Sequence, residues 1–548
     1  MKQESWRTVT PHYDHFDAVL AQFSTLPQVS FLDIQTRLKQ TLNTFCQLEH
    51  YRCLVLNAPD NAHYRSLLKQ SLHKIDESKQ VLCSESIDAS SLLGHYSCNE
   101  SGDVVTKITG QLQQATDDGI VIISANLLLA HPVHWPAIKS AIMGEPYPLI
   151  NSNPARPANQ APTAVTQAKL IVLGDQHQLA ELEYLEPDLF SRLSMYSEVE
   201  LDVALNEASI ERYLGYLSWL STQYQLPSLE VDAVKRVMVA GARHTEDQSF
   251  MPLDVSWYQS IIKEALLFSN SDVITANDIE SAIDAKYQRE SYLCERALSD
   301  ITEGQVVIET QGECVGQVNG LTVIDVPGHP LSYGEPARIS CVIHFGDGDI
   351  SDVERKAELG GNLHAKGMMI MQAFVSSALN LDEPLPYSAS VVFEQSYSEV
   401  DGDSATLAEL CSFVSALSEY PINQQIAVTG AVDQFGRVQA VGGLNEKIEG
   451  FYHVCKHQGF TGHQGVILPK TNLKHLALHK DVIESIKNNE FHIWSVSTVD
   501  EAIPLIMGKP FRGEDESSVI SKIAERIESF ERHDQPLSLM DKIKSWLS

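Results

Sequence analysis

The sequence predicts an α/β protein in which a parallel sheet with a helical lid is followed by an α+β domain. Apolar runs alternate with helical patterns up to about residue 201, and the next hundred residues have apolar positions at three- and four-residue spacing. Short strands with glycine turns then alternate with helices as far as residue 507. At roughly 100–200 residues per domain, 548 residues predict three or more structural units.

The N-terminal sheet is predicted from three apolar runs. Residues 52–60 (RCLVLNAPD) and 168–175 (AKLIVLGD) are predicted strands, and a helix over residues 66–75 follows the first. The continuous run at 119–129 (GIVIISANLLL) is typical of a strand buried on both faces. Such alternation favours a parallel sheet covered by helices. Residues 151–165 contain repeated prolines without periodicity, and we predict a mobile loop or insertion there.

The remaining segments are predicted mainly from helical patterns. Segments such as SIERYLGYLSWLSTQY and LEVDAVKRVMVAGAR predict an all-helical lid, and an amphipathic stretch at 34–48 predicts a helical N-terminal segment. The final residues predict a charged helical tail. The predicted division is 1–50 (N-terminal segment), 51–201 (sheet domain), 202–300 (lid), 301–507 (α+β domain) and 508–548 (tail).

The composition excludes several functional classes. Lys+Arg is 40 against Asp+Glu 72, a net charge of −32, so nucleic-acid binding is not expected as the main activity. No window approaches 18 uninterrupted apolar residues, and the first residues lack an apolar core, so we expect neither a membrane span nor a secretory signal. Nine scattered cysteines argue against a disulfide framework and favour a cytoplasmic location.

A sheet with a helical lid is typical of nucleoside triphosphatases, but the phosphate-binding residues are missing. The segment after the first strand, LNAPDNAHYRSLL, has no glycine or lysine in register, and Asp60 lies where phosphate charge would lie. The second strand ends with Ser124 and Asn126 rather than a Mg²⁺-binding carboxylate. We therefore predict that ATP hydrolysis has been lost. No nucleotide-binding residues are assigned from the sequence. An unrelated α/β domain that never bound nucleotide is the alternative.

The sharpest chemical pattern is SVVFEQSYSEVDGDSATLAELCSFVSALSE. Residues 391–394 are a predicted strand, 401–403 a turn, and Ser404 opens a helix with an apolar stripe at Leu407, Leu410, Val414 and Leu417. A serine at a helix start ordinarily caps exposed N–H groups. The same position also suits a nucleophile, because the hydroxyl lies at the positive end of the helix, where amides can stabilise an oxyanion.

A nucleophilic serine needs a base, and Lys447 is the candidate. It follows a hairpin predicted to turn at 433–436 and begins a helix among apolar residues. Desolvation there would lower the pKa of the lysine, so that it could accept a proton near pH 7. The ordinary alternative is a solvated surface lysine. Glu446 is adjacent but is expected to point to a different face of the helix.

Other catalytic chemistries have weaker sequence support. His364, in GGNLHAKGMM, is structural or substrate-lining, and no sequence pattern pairs it with Ser404 in a histidine triad. HExxH, GxSxG and HxxEH are absent, so no motif supports a zinc protease or an α/β-hydrolase. No metal site is predicted.

Several motifs occur in one order: GECVGQVNGLTVIDVPG, LGGNLHAKGMMIM, FEQSYSEVDGDSAT, IAVTGAVDQFGRVQAVGGLNEKIEGF and GVILPKTN. Together they resemble the proteolytic domain of the Lon (endopeptidase La) family, nearest its B-type branch, which also has GDSA where other Lon proteins have GPSA. The resemblance implies that Ser404 is the nucleophile and that Lys447, 43 positions later, is the base. It also implies that Thr429 holds the lysine in place and that Asp401 is the acidic residue preceding the nucleophile.

The N-terminal half resembles the AAA+ module of divergent Lon-like proteins. KLIVLGDQHQLAELEYLEPDLFSRL resembles the sensor strand and its sequel, and AGARHTEDQ resembles part of the lid, with Arg243 as a candidate lid arginine. The resemblance implies an AAA+-like parallel sheet with a helical lid and a degenerate nucleotide site, followed by an α+β Lon-type proteolytic domain. ATP and Mg²⁺ are implied by family resemblance only.

The predicted function is that of a cytoplasmic serine endopeptidase of the Lon type, which hydrolyses peptide bonds in protein or peptide substrates. The resemblance also implies a homo-oligomeric ring, a hexamer, whose active sites face an enclosed chamber; no membrane or nucleic-acid partner is expected. Two alternatives stay open. The chain could be a non-proteolytic regulatory or scaffold protein that retains Lon architecture, or an ATP-independent peptidase that acts on unfolded chains.

Overall fold

The computed structural model describes residues 3–84, 88–115, 118–346, 348, 350–379, 387–396, 400–513 and 517–534. The chain folds into two compact units. The N-terminal unit is Phe16–Val231 with Pro252–Ile274, and the C-terminal unit is Met1–His15, Asp232–Met251 and Thr275–Ser548. This grouping divides the chain differently from the five predicted segments, which stay predictions.

Helices and strands alternate through the first 230 residues. The helices are α1 (Asp17–Leu20), α2 (Phe31–Ile34), α3 (Thr36–Gln47), α4 (Ala62–Ile75), α5 (Ala89–Leu93), α6 (Gln111–Gln114), α7 (Ala125–Ala130), α8 (Trp135–Met143), α9 (Gln176–Leu185) and α10 (Ile210–Gln223). The strands are β1 (Cys53–Asn57), β2 (Val81–Cys83), β3 (His95–Cys98), β4 (Val104–Ile108), β5 (Ile120–Ser124), β6 (Tyr147–Pro148), β7 (Ile150–Asn151), β8 (Thr163–Ala164), β9 (Lys169–Gly174), β10 (Met195–Glu198), β11 (Asp202–Ala204) and β12 (Ser228–Leu229).

The core of the N-terminal unit is a five-stranded sheet in the order β10-β1-β9-β5-β2, and all of its pairings are parallel. This confirms the predicted parallel sheet. The run at 119–129 was predicted as one strand, and that prediction is wrong. Strand β5 ends at Ser124, whose hydroxyl accepts the Asn126 N–H and caps α7. A capping serine thus divides a continuous apolar run into a strand and a helix.

A buried lysine joins the sheet to helix α3. Lys169, the first residue of β9, is 2% exposed, and its Nζ donates to the carbonyls of Phe45 and Leu48 at 2.7 and 2.9 Å. These carbonyls lie at the C-terminal end of α3, where a helix leaves acceptors without intrahelical partners. The predicted loop at 151–165 has strand residues only at its two ends, in β7 and β8.

Four helices follow: α11 (Val231–Thr245), α12 (Val255–Leu266), α13 (Ala276–Glu290) and α14 (Tyr292–Thr302), with β13 (Phe250–Pro252) and β14 (Val273–Ile274) between them. Residues 202–300 are therefore mainly helical. The prediction that this segment is all-helical is wrong, because β12 and β14 form a short parallel pair.

The C-terminal unit continues with an α+β fold. Its strands are β15 (Glu313–Cys314), β16 (Gln317–Ile324), β17 (Tyr333–Phe345), β18 (Ile350–Asp352), β19 (Tyr387–Glu394), β20 (Ile422–Asn423), β21 (Ile426–Val428), β22 (Ala431–Val432), β23 (Val438–Gln439), β24 (Gln464–Pro469) and β25 (Phe491–Val496). Its helices are α15 (Val353–Lys356), α16 (Asn362–Ala378), α17 (Thr406–Ser418), α18 (Leu444–Gln458), α19 (Lys480–Lys487), α20 (Val499–Met507) and α21 (Val519–Asp534).

A seven-stranded sheet in the order β18-β19-β17-β16-β21-β24-β25 organises this unit. Helices α16, α17, α20 and α21 contribute to one apolar core, whereas α18 and α19 contribute to another. The start of the chain also belongs here, because the Glu4 N–H donates to the Ile493 carbonyl at 2.8 Å and Val9 is fully buried. The predicted hairpin turn at 433–436 is confirmed between β22 and β23.

Helix α17 is buried on all sides rather than along one stripe. Each of its 13 residues is buried, so the predicted one-sided stripe is only part of its contact surface. Helix α21 covers another side: Val519 and Ile523 of the predicted charged tail belong to the same core. Serines in α17 tolerate burial because their hydroxyls donate to nearby carbonyls, as Ser418 does to Val414 at 2.8 Å. Residues 535–548 of the predicted tail lie outside the described residues.

Among the residues described, no helix is long and apolar enough to cross a membrane.

Candidate active site

The loop that carries Ser404 is attached to helix α16. The Val400 N–H donates to the Leu359 carbonyl at 2.8 Å, and the Val400 carbonyl accepts from Gly361 at 2.9 Å. Asp401 Oδ1 accepts the Leu363 N–H at 3.2 Å, so this carboxylate binds the first turn of α16. A side chain at Gly361 would collide with Asp401, which explains the need for glycine at that position. These contacts fix the approach to Ser404 from one side.

Ser404 precedes helix α17 without capping it. The helix begins at Thr406, whose N–H and hydroxyl both donate to the Asp403 carbonyl, at 3.1 and 2.6 Å. The Ser404 hydroxyl instead accepts a hydrogen bond from Lys447 Nζ at 3.0 Å. The ordinary capping alternative therefore does not describe this serine, and its half-buried hydroxyl is directed at the lysine.

Lys447 lies in the first turn of α18 and is almost completely shielded from water. Helix α18 can pack closely on β17 because Gly334 and Gly450 have no side chains; a Cβ atom at either position would collide with the backbone of the other element. Lys447 is 2% exposed, which does not fit the surface-lysine alternative. Burial lowers the pKa of Lys447 to about 8, while the Asp403 carboxylate acts in the opposite direction. A substantial fraction of this amine is therefore uncharged slightly above neutral pH.

Thr429 lies directly after β21 and contacts the backbone of the nucleophile. Its side chain is fully buried, and its hydroxyl donates to the Ser404 carbonyl at 3.3 Å. The Gly430 N–H donates to the same carbonyl at 2.8 Å. The family resemblance implied a contact with Lys447, whereas in the structure the Thr429 hydroxyl holds the main chain of Ser404. Thr429 thus keeps the residue that carries the hydroxyl in position.

A cavity of about 200 Å³ opens beside the Ser404–Lys447 pair. It is lined by residues 321–324 of β16, residues 335–338 of β17, residues 393–396, and residues 400–402, 404 and 405. Strand β16 pairs with β21 only at Asn319 and Gly320, so its later residues present an edge free of β21 to the cavity. The space beside the two polar side chains therefore has an extended backbone as one wall.

The outer side of α18 is held by a half-buried arginine. Arg243 of α11 donates to Glu449 at 2.6 Å, to Glu446 at 2.9 Å and to the Ala477 carbonyl at 3.1 Å. Glu446 therefore points to a different face from Lys447, as predicted. Arg243, the candidate lid arginine, is engaged with the helix that carries the lysine, and its guanidinium is occupied by these acceptors.

His364 is not brought to Ser404. Its ring is 2% exposed and lies in a separate cluster, with Asp352 Oδ2 at 3.1 Å from Nε2 and Glu409 Oε1 at 3.4 Å from Nδ1. The structural role proposed for this histidine fits its burial better than a substrate-lining role. A histidine triad that includes Ser404 has no support in this geometry.

The position of the missing phosphate loop is occupied by side chains of the protein itself. Asp60, between β1 and α4, pairs with Arg65 at 2.6 Å, and the two side chains are 7% and 15% exposed. Asp60 also accepts hydrogen bonds from the Ser124 hydroxyl and, at 3.4 Å, from Gln178. The carboxylate thus joins the ends of β1 and β5 to the start of α9.

Sequence reasoning missed three groups of residues. The partner of Asp60 is Arg65, five positions later, and the partners of Arg243 lie about 200 positions away. Glu409 was also missed, although a single charged residue in the otherwise apolar and small-residue helix α17 was a signal that could have identified it.

Comparisons with known proteins agree with this architecture. A family profile described as the Lon protease (S16) C-terminal proteolytic domain matches residues 395–509, and one described as the archaeal LonB AAA+ ATPase lid domain matches residues 228–289. A protein of Escherichia coli K12 named "Putative Lon protease homolog" is 37% identical over 95% of both chains. The chain belongs to the Lon protease family.

Two further Lon relatives cover less of the chain. A Haemophilus influenzae protein with the same name is 39% identical over 77% of this chain and 70% of its own. An archaeal Lon protease from Methanocaldococcus jannaschii is 29% identical over 45% of this chain and 36% of its own. The predicted AAA+-like sheet with a helical lid, followed by a Lon-type proteolytic domain, is thus confirmed as the fold class.

Proposed function

We propose that this Lon family member is a serine endopeptidase in which Ser404 is the nucleophile and Lys447 is the general base. The observation that carries the proposal is the 3.0 Å hydrogen bond between a half-buried hydroxyl and a lysine whose pKa burial lowers to about 8. A serine hydroxyl is a weak nucleophile unless a base can take its proton, and an ammonium group cannot do so. The shielded amine meets this requirement.

In the proposed reaction, Ser404 Oγ attacks the carbonyl carbon of the scissile peptide bond while Lys447 takes the hydroxyl proton. The tetrahedral intermediate collapses when Lys447 returns that proton to the leaving amine, and the acyl group stays on Ser404. Water then attacks this ester while Lys447 takes a proton from it, and Lys447 returns that proton to Ser404 Oγ as the ester C–O bond breaks, which releases the new carboxyl end. Lys447 thus acts first as base and then as acid in each half of the cycle.

Two features support stabilisation of the oxyanion at the start of α17. The Ser404 carbonyl is fixed by Thr429 and by the Gly430 N–H, which orients the preceding and following peptide groups. Among the described residues, the N–H groups of Ser404 and Ala405 donate to no protein acceptor. Donors that are already fixed at the positive end of a helix need little reorganisation when charge develops on the substrate oxygen.

The free edge of β16 supports a substrate bound in an extended conformation. Residues 321–324 pair with β17 on one side and line the cavity on the other. An extended peptide can add to such an edge through main-chain hydrogen bonds, which carry little sequence specificity. We therefore propose unfolded or loosely structured polypeptides as the substrate class.

We further propose that the N-terminal unit does not hydrolyse ATP. In place of phosphate-binding amides and a lysine, the chain has Asp60 bound to Arg65, Ser124 and Gln178. A nucleotide phosphate in this position would meet a carboxylate, and binding would require breaking a largely buried ion pair. ATP and Mg²⁺, which the family resemblance implies, are therefore not proposed as cofactors.

A ring assembly and a cytoplasmic location are proposed from the family alone. A homo-hexamer would place the Ser404–Lys447 pairs in a shared chamber and limit cleavage to chains that can enter it. Native mass spectrometry of the full-length protein tests the ring assembly, and a mass of one or two chains would contradict a hexamer.

The catalytic proposal is tested by labelling the protein with a serine-reactive fluorophosphonate probe. The wild type should be labelled, Ser404→Ala should stay folded without label, and Ser299→Ala, which changes a half-buried serine of α14, should label normally. Equal labelling of Ser404→Ala and the wild type would contradict the assignment.

A second assay separates the functional alternatives. Unstructured casein is incubated with the full-length protein, with and without Mg-ATP, and we expect cleavage at equal rates in both conditions. Cleavage that requires ATP would contradict the loss of ATP use. No cleavage in either condition would favour a non-proteolytic regulator that retains the Lon architecture.

A further inference from the structure

The C-terminal unit buries four titratable side chains that the proposed mechanism does not use. Asp352, Glu354, His364 and Glu409 are 8%, 4%, 2% and 1% exposed. Within the described part of the chain, the only ion-pair contacts of these residues are between His364 and two of the carboxylates. Three carboxylates and one imidazole without a lysine or arginine leave an excess of negative charge in a region shielded from water. Such charge is normally paired, protonated or bound to a metal.

Two of the carboxylates are held so that one oxygen stays free. Asp352 Oδ1 accepts the Arg355 N–H at 3.3 Å, and Glu354 Oε1 accepts the Phe393 N–H at 2.9 Å. The other oxygens, Asp352 Oδ2 and Glu354 Oε2, are buried without a hydrogen-bond partner, as is His364 Nε2. One ligand atom from each of these three residues lies within 4.8 Å of the others. The backbone thus holds three donor atoms without a hydrogen bond close to a common space.

We propose that Asp352, Glu354 and His364 bind a divalent transition-metal ion, with Zn²⁺ as the best fit. His364 Nε2 lies 3.1 Å from Asp352 Oδ2, yet the two atoms are not aligned for a hydrogen bond. Ligands at zinc distances of about 2.0–2.2 Å lie about 3.3–3.6 Å apart in a tetrahedral site, so a separation of 3.1 Å is close to that of two ligands of one ion. One imidazole with two carboxylates favours Zn²⁺ or Mn²⁺ over Ca²⁺ or Mg²⁺.

Glu409 supports this site from the other side of the imidazole. Its Oε1 lies 3.4 Å from His364 Nδ1, and among the described residues its side chain has no other polar partner. A histidine that binds a metal through Nε2 usually donates its Nδ1–H to a carboxylate, which fixes the ring and its tautomer. Glu409 is therefore a positioning residue for His364, and this role explains why a glutamate occurs in the fully buried helix α17.

Protons offer a competing way to neutralise the cluster. Burial raises the pKa of Glu409 to about 7, although the imidazole of His364 opposes the shift. A protonated His364 would pair with Asp352 Oδ2 but would leave the free oxygen of Glu354 without a partner, whereas one metal ion would bind both oxygens. The experiment below treats proton binding as the result that contradicts the proposal.

The proposed metal would be structural rather than catalytic. It would join β18 and α15 to the first turn of α16, and through Glu409 it would reach the first turns of α17. The Ser404 loop binds the same turn of α16 through Asp401. Metal occupancy should therefore stabilise the frame of the nucleophile loop, and Ser404 itself is not a ligand.

The test measures metal content and stability of the full-length protein. The protein is stripped with a chelator, dialysed against ZnCl₂, MnCl₂ or MgCl₂, and analysed by inductively coupled plasma mass spectrometry and thermal unfolding. We expect about one Zn²⁺ per chain and a raised Tm, as for a metal that binds only the folded state. MnCl₂ should bind more weakly, and MgCl₂ should leave Tm unchanged.

Variants distinguish this site from unspecific binding. Glu354→Gln, which keeps the side-chain shape, and His364→Ala should weaken Zn²⁺ affinity at least 100-fold. Asp284→Asn is the matched control, because Glu280, Asp284 and His479 form an acidic cluster with a histidine at the surface. If His364→Ala does not fold, Glu354→Gln alone decides. A wild-type protein that retains no Zn²⁺, a stability that responds only to pH, or equal loss in Asp284→Asn would overturn the proposal.

Discussion

Two buried charged groups in this molecule have opposite surroundings. In the C-terminal unit, Lys447 is almost completely buried, and Ser404 is its only hydrogen-bond acceptor in the described part of the chain. In the N-terminal unit, the Asp60 side chain is also largely shielded, at 7% exposed, but it is paired with Arg65 and accepts two further hydrogen bonds. A buried charge without a counter-ion costs stability, whereas a paired one is largely neutralised.

The Lys447 site contains a reactive group without an ion-pair partner among the described residues, whereas the Asp60 site is filled by side chains of the protein itself. Burial disfavours the charged form of Lys447, and the lowered pKa that results is what proton transfer requires. The Asp60 carboxylate is instead paired, and it occupies the groups of its partners that could otherwise bind a phosphate. The family architecture is therefore retained in both units, while the functional groups support activity in only one of them.

The largest effect is expected from Lys447→Met. Removal of the base should lower casein cleavage and fluorophosphonate labelling by about 10³-fold or more, as is typical when one member of a nucleophile–base pair is lost. Lys456→Met is the matched control on the same helix, since Lys456 is half exposed and pairs with Asp481 at 3.3 Å. Cleavage by Lys447→Met within tenfold of the wild type would contradict a base function for the buried amine.

The pH dependence gives the next largest effect. Because burial lowers the pKa of Lys447 to about 8 and only the neutral amine can accept a proton, kcat/KM should rise about tenfold per pH unit up to about pH 8 and then level off. Initial rates with a fluorogenic peptide measure this profile. A rate that is flat between pH 6 and 8 would show that no such group controls cleavage.

Asp403→Asn sharpens the same measurement. The Asp403 carboxylate raises the pKa of Lys447 against the effect of burial, so its removal should move the inflection to lower pH. At pH 6.5, kcat/KM relative to its plateau should increase roughly two- to threefold. Asp500→Asn, which changes a surface residue paired with Arg512, should leave the profile unchanged. A shift to higher pH in Asp403→Asn would contradict the assigned sign.

In the N-terminal unit, Asp60→Ala should lower stability without creating ATP binding. The variant leaves Arg65 buried without its partner, which typically costs about 3 kcal/mol of unfolding free energy. Denaturant unfolding measures this loss, and a fluorescent ATP analogue should still not bind, because no phosphate-binding lysine is present. Asp188→Ala, which removes a half-exposed carboxylate, should cost less than about 1 kcal/mol. ATP binding by Asp60→Ala would show that the site is only blocked.

The sequence predicted the Ser404–Lys447 pair because both residues lie near predicted helix starts next to glycine turns and occur within specific motifs. It could not predict what holds them there. The Thr429 hydroxyl contacts a backbone carbonyl rather than the lysine, and the partners of Arg243 lie about 200 positions away. Contacts at that distance depend on how the sheet orders its strands, and neither periodicity nor spacing encodes that order. The division of residues 119–129 failed for a local reason, a capping serine within an apolar run.

The smallest effect concerns the far end of the nucleophile helix. Arg526 of α21 donates to the Ala416 and Leu417 carbonyls at 2.7 and 2.9 Å, where α17 ends and its carbonyls lack intrahelical partners. Arg526→Met keeps the apolar stem but removes these donors, so it should lower stability by about 1 kcal/mol. Denaturant unfolding measures this change. Cleavage at 25 °C should be unaffected, because Ser404 is positioned at the opposite end of α17. A tenfold loss of kcat/KM would show that this tail helix controls the active site as well as stabilising the core.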